Sequence, residues 1–201
     1  MAKSIPRAVR GARKAAGFHV SQINSSVITP ELRASIGRQS PPRPLEVLSA
    51  SDVRRYADAT GDTNRLWLDD QFARAAGYRG RLLPPTLVGW VPFSFRESTE
   101  RANADPMDLR RQLALPPGYT NVRNAGSETE WIAPVYLGEQ LFTRSSIVNI
   151  VAREGRAGLG IYITQEEQVL NPHEQIVLRR RHTLAVFPDK TYSDSTEEHN
   201  R

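Results

Sequence analysis

The first clear rhythm of apolar positions runs through Val53, Tyr56, Ala57 and Ala59. Steps of three and four put these residues on one helical face. Ser51 reads as the N-cap of that helix, Gly61 as its end, and Asp62-Thr63-Asn64 as the turn away from it. A second short helix follows through Phe72, Ala73 and Ala76, capped by Asp69 or Asp70 and closed by Gly77. Upstream, Thr29-Pro30-Glu31 has the form of a helix start, with Thr29 as N-cap and proline at the first helical position, and that helix ends at Gly37. Pro41, Pro42 and Pro44 then hold the chain extended. Leu45 and Val47, with Ala50 beyond them, alternate as a brief strand.

Pro84-Pro85-Thr86 breaks the chain and opens an apolar segment holding Leu87, Val88, Trp90, Val91, Phe93 and Phe95. Read as a helix, it contains Pro92, and an interior proline costs about 3 kcal/mol. The helix is therefore short, starts earlier, or kinks at that point. Residues 96–113 are polar and charged and form an excursion, partly helical near its end. From Tyr119 onward the pattern is that of strands. Thr120 to Trp131 turns irregular at Ala125-Gly126, where a bulge is expected. Gln140 to Ala152 alternates weakly, and Arg153 to Gly158 reads as a hairpin loop. Leu159, Ile161 and Ile163 alternate with Gly160, Tyr162 and Thr164, a period of two with one face buried. After a turn at Asn171-Pro172-His173-Glu174, the last strand carries Ile176, Leu178, Leu184 and Val186, with Arg180 and His182 interrupting that face. Phe187-Pro188 ends it. A run of long antiparallel strands with one apolar helical segment gives an α+β layering, the helix packed against one face of the sheet.

Composition narrows the class. With 201 residues, 39% of them hydrophobic, one domain with its own core is expected. No apolar run reaches the roughly 20 residues of a membrane helix, so no membrane partner is expected. There is no cysteine, hence neither a disulfide framework nor a thiolate metal site, and the cytoplasm is the expected compartment. The net charge of +5 is uneven: Lys3, Arg7, Arg10, Arg13 and Lys14 all precede the first acid, Glu31. Without these five, basic and acidic residues are equal in number. A nearly neutral folded part argues against a nucleic-acid partner, which would need a basic patch on the folded surface. The expected organisation is a basic tail over residues 1–27, a folded domain over 28–188 and a polar end over 189–201. The tail reads as an unfolded solvated arm, as an organelle-targeting peptide, or as a contact for an anionic partner.

Within Tyr56 to Trp90 stand Asp62, Asn64, Leu66, Asp69, Ala73, Gly77-Tyr78 and Leu82-Leu83. This order resembles the hydratase motif of the MaoC-like hotdog family, which adds water to or removes it from acyl thioesters. Three positions depart from it. Arg65 stands for the motif's proline, Trp67 for its histidine, and Pro84-Pro85 for its later His-Gly. The Pro-Pro-Thr variant is similar to the FAS1-like dehydratase branch. So are Asn124-Ala125-Gly126-Ser127-Glu128, Trp131, Pro134, Leu137-Gly138-Glu139 and Arg179-Arg180-Arg181. The resemblance covers residues 28–187 and implies a hotdog fold, a long antiparallel sheet wrapped around a central helix. Such sheets leave an edge exposed, so a homodimer or a hetero-oligomer with a MaoC-type hotdog chain follows.

What the resemblance implies chemically is the reversible loss of water from a 3-hydroxyacyl thioester to give the 2-enoyl thioester. The thioester would be carried by coenzyme A or by the phosphopantetheine of a carrier protein, with no further cofactor. Complete relatives share the acid–base work between an aspartate and a histidine, and a backbone N–H at the start of the central helix steadies the enolate oxygen. Asp62 fills the aspartate position, and Asn64 would orient water or Asp62. Each has a plainer reading as a turn residue. Trp67 cannot act as the base, because an indole N–H only donates; packing or lining an acyl channel is its expected role. Pro85, Thr86 and Leu87 would bind substrate, with the N–H of Thr86 or Leu87 at the thioester oxygen. Gly126 is a further substrate-binding candidate. Arg180 would meet the phosphates of the carrier, or else turn inward and pair with Glu128 or Glu130. The 96–113 excursion is a lid over the acyl pocket or a solvated insertion. The scattered histidines, His19, His173, His182 and His199, lack metal-ligand spacing. The expected function is the substrate-binding half of an acyl-thioester hydratase or dehydratase, with the Asp/His pair supplied by a partner hotdog. A stand-alone homodimeric hydratase using Asp62, a non-catalytic acyl-thioester binding protein and a thioesterase remain open.

Overall fold

Strands β2 (Tyr119–Trp131), β3 (Phe142–Gly155), β4 (Gly158–Leu170) and β5 (Ile176–Pro188) form one antiparallel sheet with a two-residue strand, β1 (Arg43–Pro44), in the order β1-β3-β4-β5-β2. These coordinates come from a computed structural model, which describes residues 27–94, 112–155 and 158–189. The basic tail up to residue 26, the charged excursion up to residue 111 and the polar end after Asp189 lie outside the described residues. Among the described residues five helices precede the long strands: α1 (Pro30–Ala34), α2 (Ala50–Thr60), α3 (Arg65–Leu68), α4 (Asp70–Ala75) and α5 (Pro85–Ser94). None is long and apolar enough to cross a membrane.

The expected α+β layering is present. Val88 of α5 packs with Val169, Val177 and Leu178 of the sheet, and Leu45, Leu48, Val53, Leu83, Val135 and Leu141 complete that cluster. A second cluster, Ile147, Ile150, Ala152, Ile161, Ile163 and Val186, meets Ile28, Leu32 and Leu113. The alternation read in the sequence decides which residues face inward. Directly opposed pairs Ile161/Val186, Ile163/Leu184, Glu167/Arg180 and Val169/Leu178 share the helix-side face. Glu166/Arg181 and Gln168/Arg179 share the outer face.

Several boundaries differ from the sequence reading. The N-cap of α2 is Ser49, not Ser51. Ser49 Oγ accepts from the Asp52 N–H at 3.3 Å, and the Asp52 carboxylate accepts from the Ser49 N–H at 2.8 Å. Ser49 has an acid three residues on and so closes a capping box; Ser51 has Arg54 there. The brief strand is Arg43–Pro44, not Leu45–Ala50, and it lies at the sheet edge, where a proline is tolerated. The apolar helix starts at Pro85 and runs through Pro92 to Ser94. The hairpin is tighter than expected, because β3 and β4 stay paired out to Gly155 and Gly158. The bulge expected at Ala125-Gly126 is present as a register shift between Asn124 and Gly126.

Two stability predictions arise here. The Asp52 carboxyl is held below the usual carboxylate range, first by the Ser49 side chain and then by the Ser49 backbone. A depressed folded pKa stabilises above the ordinary carboxylate pKa of about 4 and fades as pH falls through the folded value. Ser49→Ala should therefore lower stability by about 1 kcal/mol at neutral pH, and by less in acid. Urea melts at pH 7 and pH 3 measure this; an equal loss at both values would rule out the capping box as its source.

Gly160 makes a tighter demand. A Cβ there would lie 2.5 Å from Phe187 Cε1 and 2.9 Å from Cζ. The ring cannot swing aside freely, since it packs edge-on to Tyr162 and lies under the Arg123 guanidinium. Gly160→Ala should destabilise by about 1–3 kcal/mol through overpacking. A thermal melt unchanged from wild type would show that the ring has room to move.

Candidate functional site

The turn after α2 builds the site. Gly61 adopts the left-handed conformation that ends the helix, and the next three residues lock one another. Asp62 Oδ1 accepts from the Asn64 N–H at 3.1 Å, and Asn64 Oδ1 accepts from the Leu66 N–H at 3.0 Å, making Asn64 the N-cap of α3. One turn on, the Trp67 indole Nε1 donates to Asp62 Oδ2 at 3.1 Å. Both oxygens of Asp62 thus accept hydrogen bonds, one from backbone and one from the indole. Asp69 then caps α4 and pairs with Arg65 at 2.6 Å.

Backbone bonds tie the chain after α4 to α3 and to the connection between β2 and β3. Leu82 donates to the Leu66 carbonyl at 3.0 Å, Leu83 to the Val135 carbonyl at 2.8 Å, and Leu137 to the Arg81 carbonyl at 3.0 Å. Helix α5 starts directly after and is held by side chains from two other elements at its first turn. The Trp131 indole, at the end of β2, donates to the Pro85 carbonyl at 2.8 Å. The Tyr56 hydroxyl of α2 is hydrogen-bonded to Thr86 Oγ1. The first intrahelical bond runs from the Val88 N–H to the Pro84 carbonyl, so the N–H groups of Thr86 and Leu87 lie ahead of the helical ladder.

Between these pieces lies a cavity of about 350 Å³. Its walls are Leu66, Trp67 and Tyr78 on one side, Leu82, Leu83, Pro85 and Val88 on a second, and Trp131 to Val135 with Val177 on the third. The lining side chains are apolar or aromatic. The cavity is wide enough for an acyl chain, and the Asp62 carboxylate is tied to its wall through the Trp67 indole. Among the described residues no group of three or more histidines and acids could hold a metal ion.

Of the residues singled out from the sequence, Trp67 and Pro85 line this cavity, and Asp62 is joined to it through the indole. Asn64 caps α3. Thr86 is exposed and bonded to Tyr56, and Leu87 packs on the first core cluster. Gly126 sits at the β2 bulge with φ of 128°, outside the cavity lining. Arg180 turns inward beneath α5, as one of its two readings has it, but its carboxylate is Glu167, 3.6 Å away, not Glu128 or Glu130. Glu130 takes Arg179 instead, at 2.9 Å. Burial pulls the Arg180 pKa below the ordinary arginine value, and Glu167 opposes that shift. His182, on the same face, has its Nε2 3.3 Å from Asn124 Oδ1, and the Asp62 partner is Trp67.

Tyr78, Val88, Trp131 to Val135 and Val177 escaped the sequence reading as cavity residues. The legible signal was the run Trp131-Ile132-Ala133-Pro134-Val135, apolar without alternation, directly after a strand whose residues are mostly exposed on both faces. That strand is one edge of the sheet. Val122 is 55% exposed, Trp131 50% and Ile132, just past the strand, 44%, large apolar side chains at an edge that no strand among the described residues covers.

Comparison with known proteins agrees with this geometry. The family model for the FAS1-like dehydratase domain region matches residues 34–180. A probable enoyl-CoA hydratase alpha subunit of Thermomonospora curvata is 27% identical over 175 residues, covering 83% of this chain and 54% of that protein. The chain thus spans about half the length of that relative. A UPF0336 protein of Streptomyces griseus is 30% identical over 120 residues, 60% of this chain and 73% of the relative. Among solved structures, the ChsH1-ChsH2 complex from Mycobacterium tuberculosis contains a chain with a TM-score of 0.61 at 21% identity, covering 80% of this chain and 94% of that one. At that identity the match establishes the hotdog fold.

Proposed function

Because the chain belongs to the FAS1-like dehydratase family of MaoC-like hotdog proteins, we propose that it is the substrate-binding subunit of an acyl-thioester hydratase or dehydratase. The reaction interconverts a 3-hydroxyacyl thioester with the 2-enoyl thioester and water. In the dehydration direction a base removes the proton alpha to the thioester and an acid protonates the departing hydroxyl, leaving a carbon–carbon double bond. One observation carries the assignment: a cavity of about 350 Å³ lined by Trp67, whose indole is bonded to Asp62 where the family motif has an imidazole. The carboxylate is held in position, but the side chain bonded to it cannot shuttle a proton. A second hotdog chain supplies the Asp/His pair in this reading, and the thioester brings its own coenzyme A or phosphopantetheine.

The edge strand β2 is the proposed docking site for that second chain. It is 13 residues long, exposed on both faces, and ends in Trp131, which is both half-exposed and part of the cavity wall. A strand laid along it would cover the exposed apolar side chains and satisfy the unpaired backbone groups of the edge. The hydratase relative is itself described as an alpha subunit, and the solved relative as a two-protein complex; both support a partner of this kind.

Trp67 and Trp131 sit in the cavity wall, so binding is visible in their fluorescence. Titration with crotonyl-CoA should give a saturable change, and Val88→Arg, which puts a cation into the apolar wall, should weaken binding by at least tenfold. A titration with no saturable change, or a Val88→Arg protein that binds as wild type, would sink the assignment of this cavity.

A further inference from the structure

The helix-side face of β5 carries Leu178, Leu184 and Val186, with Arg180 and His182 between them. The Arg180 side chain is only 16% exposed. Burying a cation is unfavourable unless its donors are met, and here three nitrogens turn to three elements. Nη2 donates to the Gly89 carbonyl of α5 at 2.5 Å. Nη1 lies 3.6 Å from the Glu167 carboxylate of β4, and Nε lies 3.4 Å from Thr129 Oγ1 of β2. The guanidinium therefore ties the helix to both sheet neighbours of its own strand.

Two features of α5 fit this tie. At Gly89 a Cβ would lie 2.9 Å from Arg180 Nη2, so a larger residue there would push the guanidinium from its present place against the Gly89 carbonyl. Glycine is the poorest helix former after proline, and among the described residues the next nearest atom, Leu178 Cδ1, is at an ordinary 3.7 Å. Three residues on, Pro92 has no N–H to give the Val88 carbonyl, so the helix loses a bond of its own beside the one Arg180 makes. Internally weakened, α5 depends on outside holds. Trp131 and Tyr56 fix its first turn, and Arg180 fixes the next.

We propose that Arg180 is a positioning residue for the acyl site: by holding the Gly89 carbonyl it sets where α5 presents Pro85 and Val88 to the cavity, and Gly89 is glycine in order to admit it. The proposal rests on reading that cavity as the acyl site. It gives Arg180 a role through the helix, without contact with the substrate.

The test is a double-mutant cycle of Arg180→Ala and Gly89→Ala, with Arg180→Lys as the milder variant should the alanine fail to fold. Ile161→Val, in the second core cluster, controls for general loss of stability. Two readouts are taken: the crotonyl-CoA Kd, and amide hydrogen exchange resolved by segment. Arg180→Ala should raise the Kd and speed exchange in α5 by about tenfold each, the size of one charge-assisted hydrogen bond. Arg180→Lys should fall between it and wild type, since lysine keeps the charge but not the fork. Gly89→Ala should do similar harm in the wild-type protein and none further in the Arg180→Ala protein. Multiplying effects in the double variant would overturn the proposal, as would exchange rising evenly across the sheet or an equal Kd change in Ile161→Val. If wild type binds no crotonyl-CoA, the acyl-site reading fails, and α5 exchange alone decides whether Arg180 holds the helix.

Discussion

Replacing Trp67 with histidine should give the isolated chain an enoyl-thioester hydration activity about a hundredfold above the background rate at which the wild-type chain leaves the substrate. The indole nitrogen already sits 3.1 Å from Asp62 Oδ2 in the cavity wall. An imidazole at the same position would accept a proton as well as donate one, and Asp62 would fix its tautomer. General acid–base catalysis contributes about 10²–10⁴-fold; the lower end is expected, because a ring smaller than indole leaves the new base imperfectly seated. The assay is loss of enoyl absorbance with crotonyl-CoA. A folded Trp67→His protein that binds crotonyl-CoA and stays silent would mean that Asp62 does not face the reacting carbons.

Leu178→Ala should cost about 2–5 kcal/mol of stability. Leu178 is 1% exposed and belongs to the first core cluster. Its Cδ1 also lies 3.7 Å from where a Gly89 Cβ would stand, so the side chain fills the space between sheet and helix. Removing it opens a hole among apolar groups that water has little reason to fill. Equilibrium urea unfolding, with the slope unchanged, measures the loss. A change below about 1 kcal/mol would show that α5 settles onto the sheet and closes the gap, which weak internal bonding around Pro92 would allow.

Much of the fold was legible because local chemistry and alternation point the same way. The helix starting at Thr29-Pro30, the short helix capped at Asp69 and the bulge after Asn124 all follow from side-chain types at fixed offsets. What failed was tertiary or needed a second residue to decide it. Ser51 reads as the cap of α2, but Ser49, with Asp52 three residues after it, holds that place. Glu128 and Glu130 look like natural partners for Arg180, but the β2 register sets Thr129 opposite it and sends both acids to the outer face. The inward carboxylate comes from β4, and no local pattern announces it. At Trp67 the chemistry was read half-way. An indole cannot be a base, and its capacity to donate to a carboxylate five residues back follows from the same inventory. The cavity walls beyond the motif come from residues such as Val88, Trp131 and Val177, far apart in sequence and joined only by the fold.

The central claim is that this chain binds an acyl thioester without turning it over, and needs a histidine-bearing hotdog chain to do so. The most direct measurement is crotonyl-CoA absorbance with the purified full-length chain alone and then with such a partner added, following free thiol in parallel. Silence alone and hydration on mixing, with no thiol released, is the predicted result. Hydration by the chain alone at an enzyme-like rate, abolished in Asp62→Ala, would contradict it and make Asp62 a sufficient catalyst.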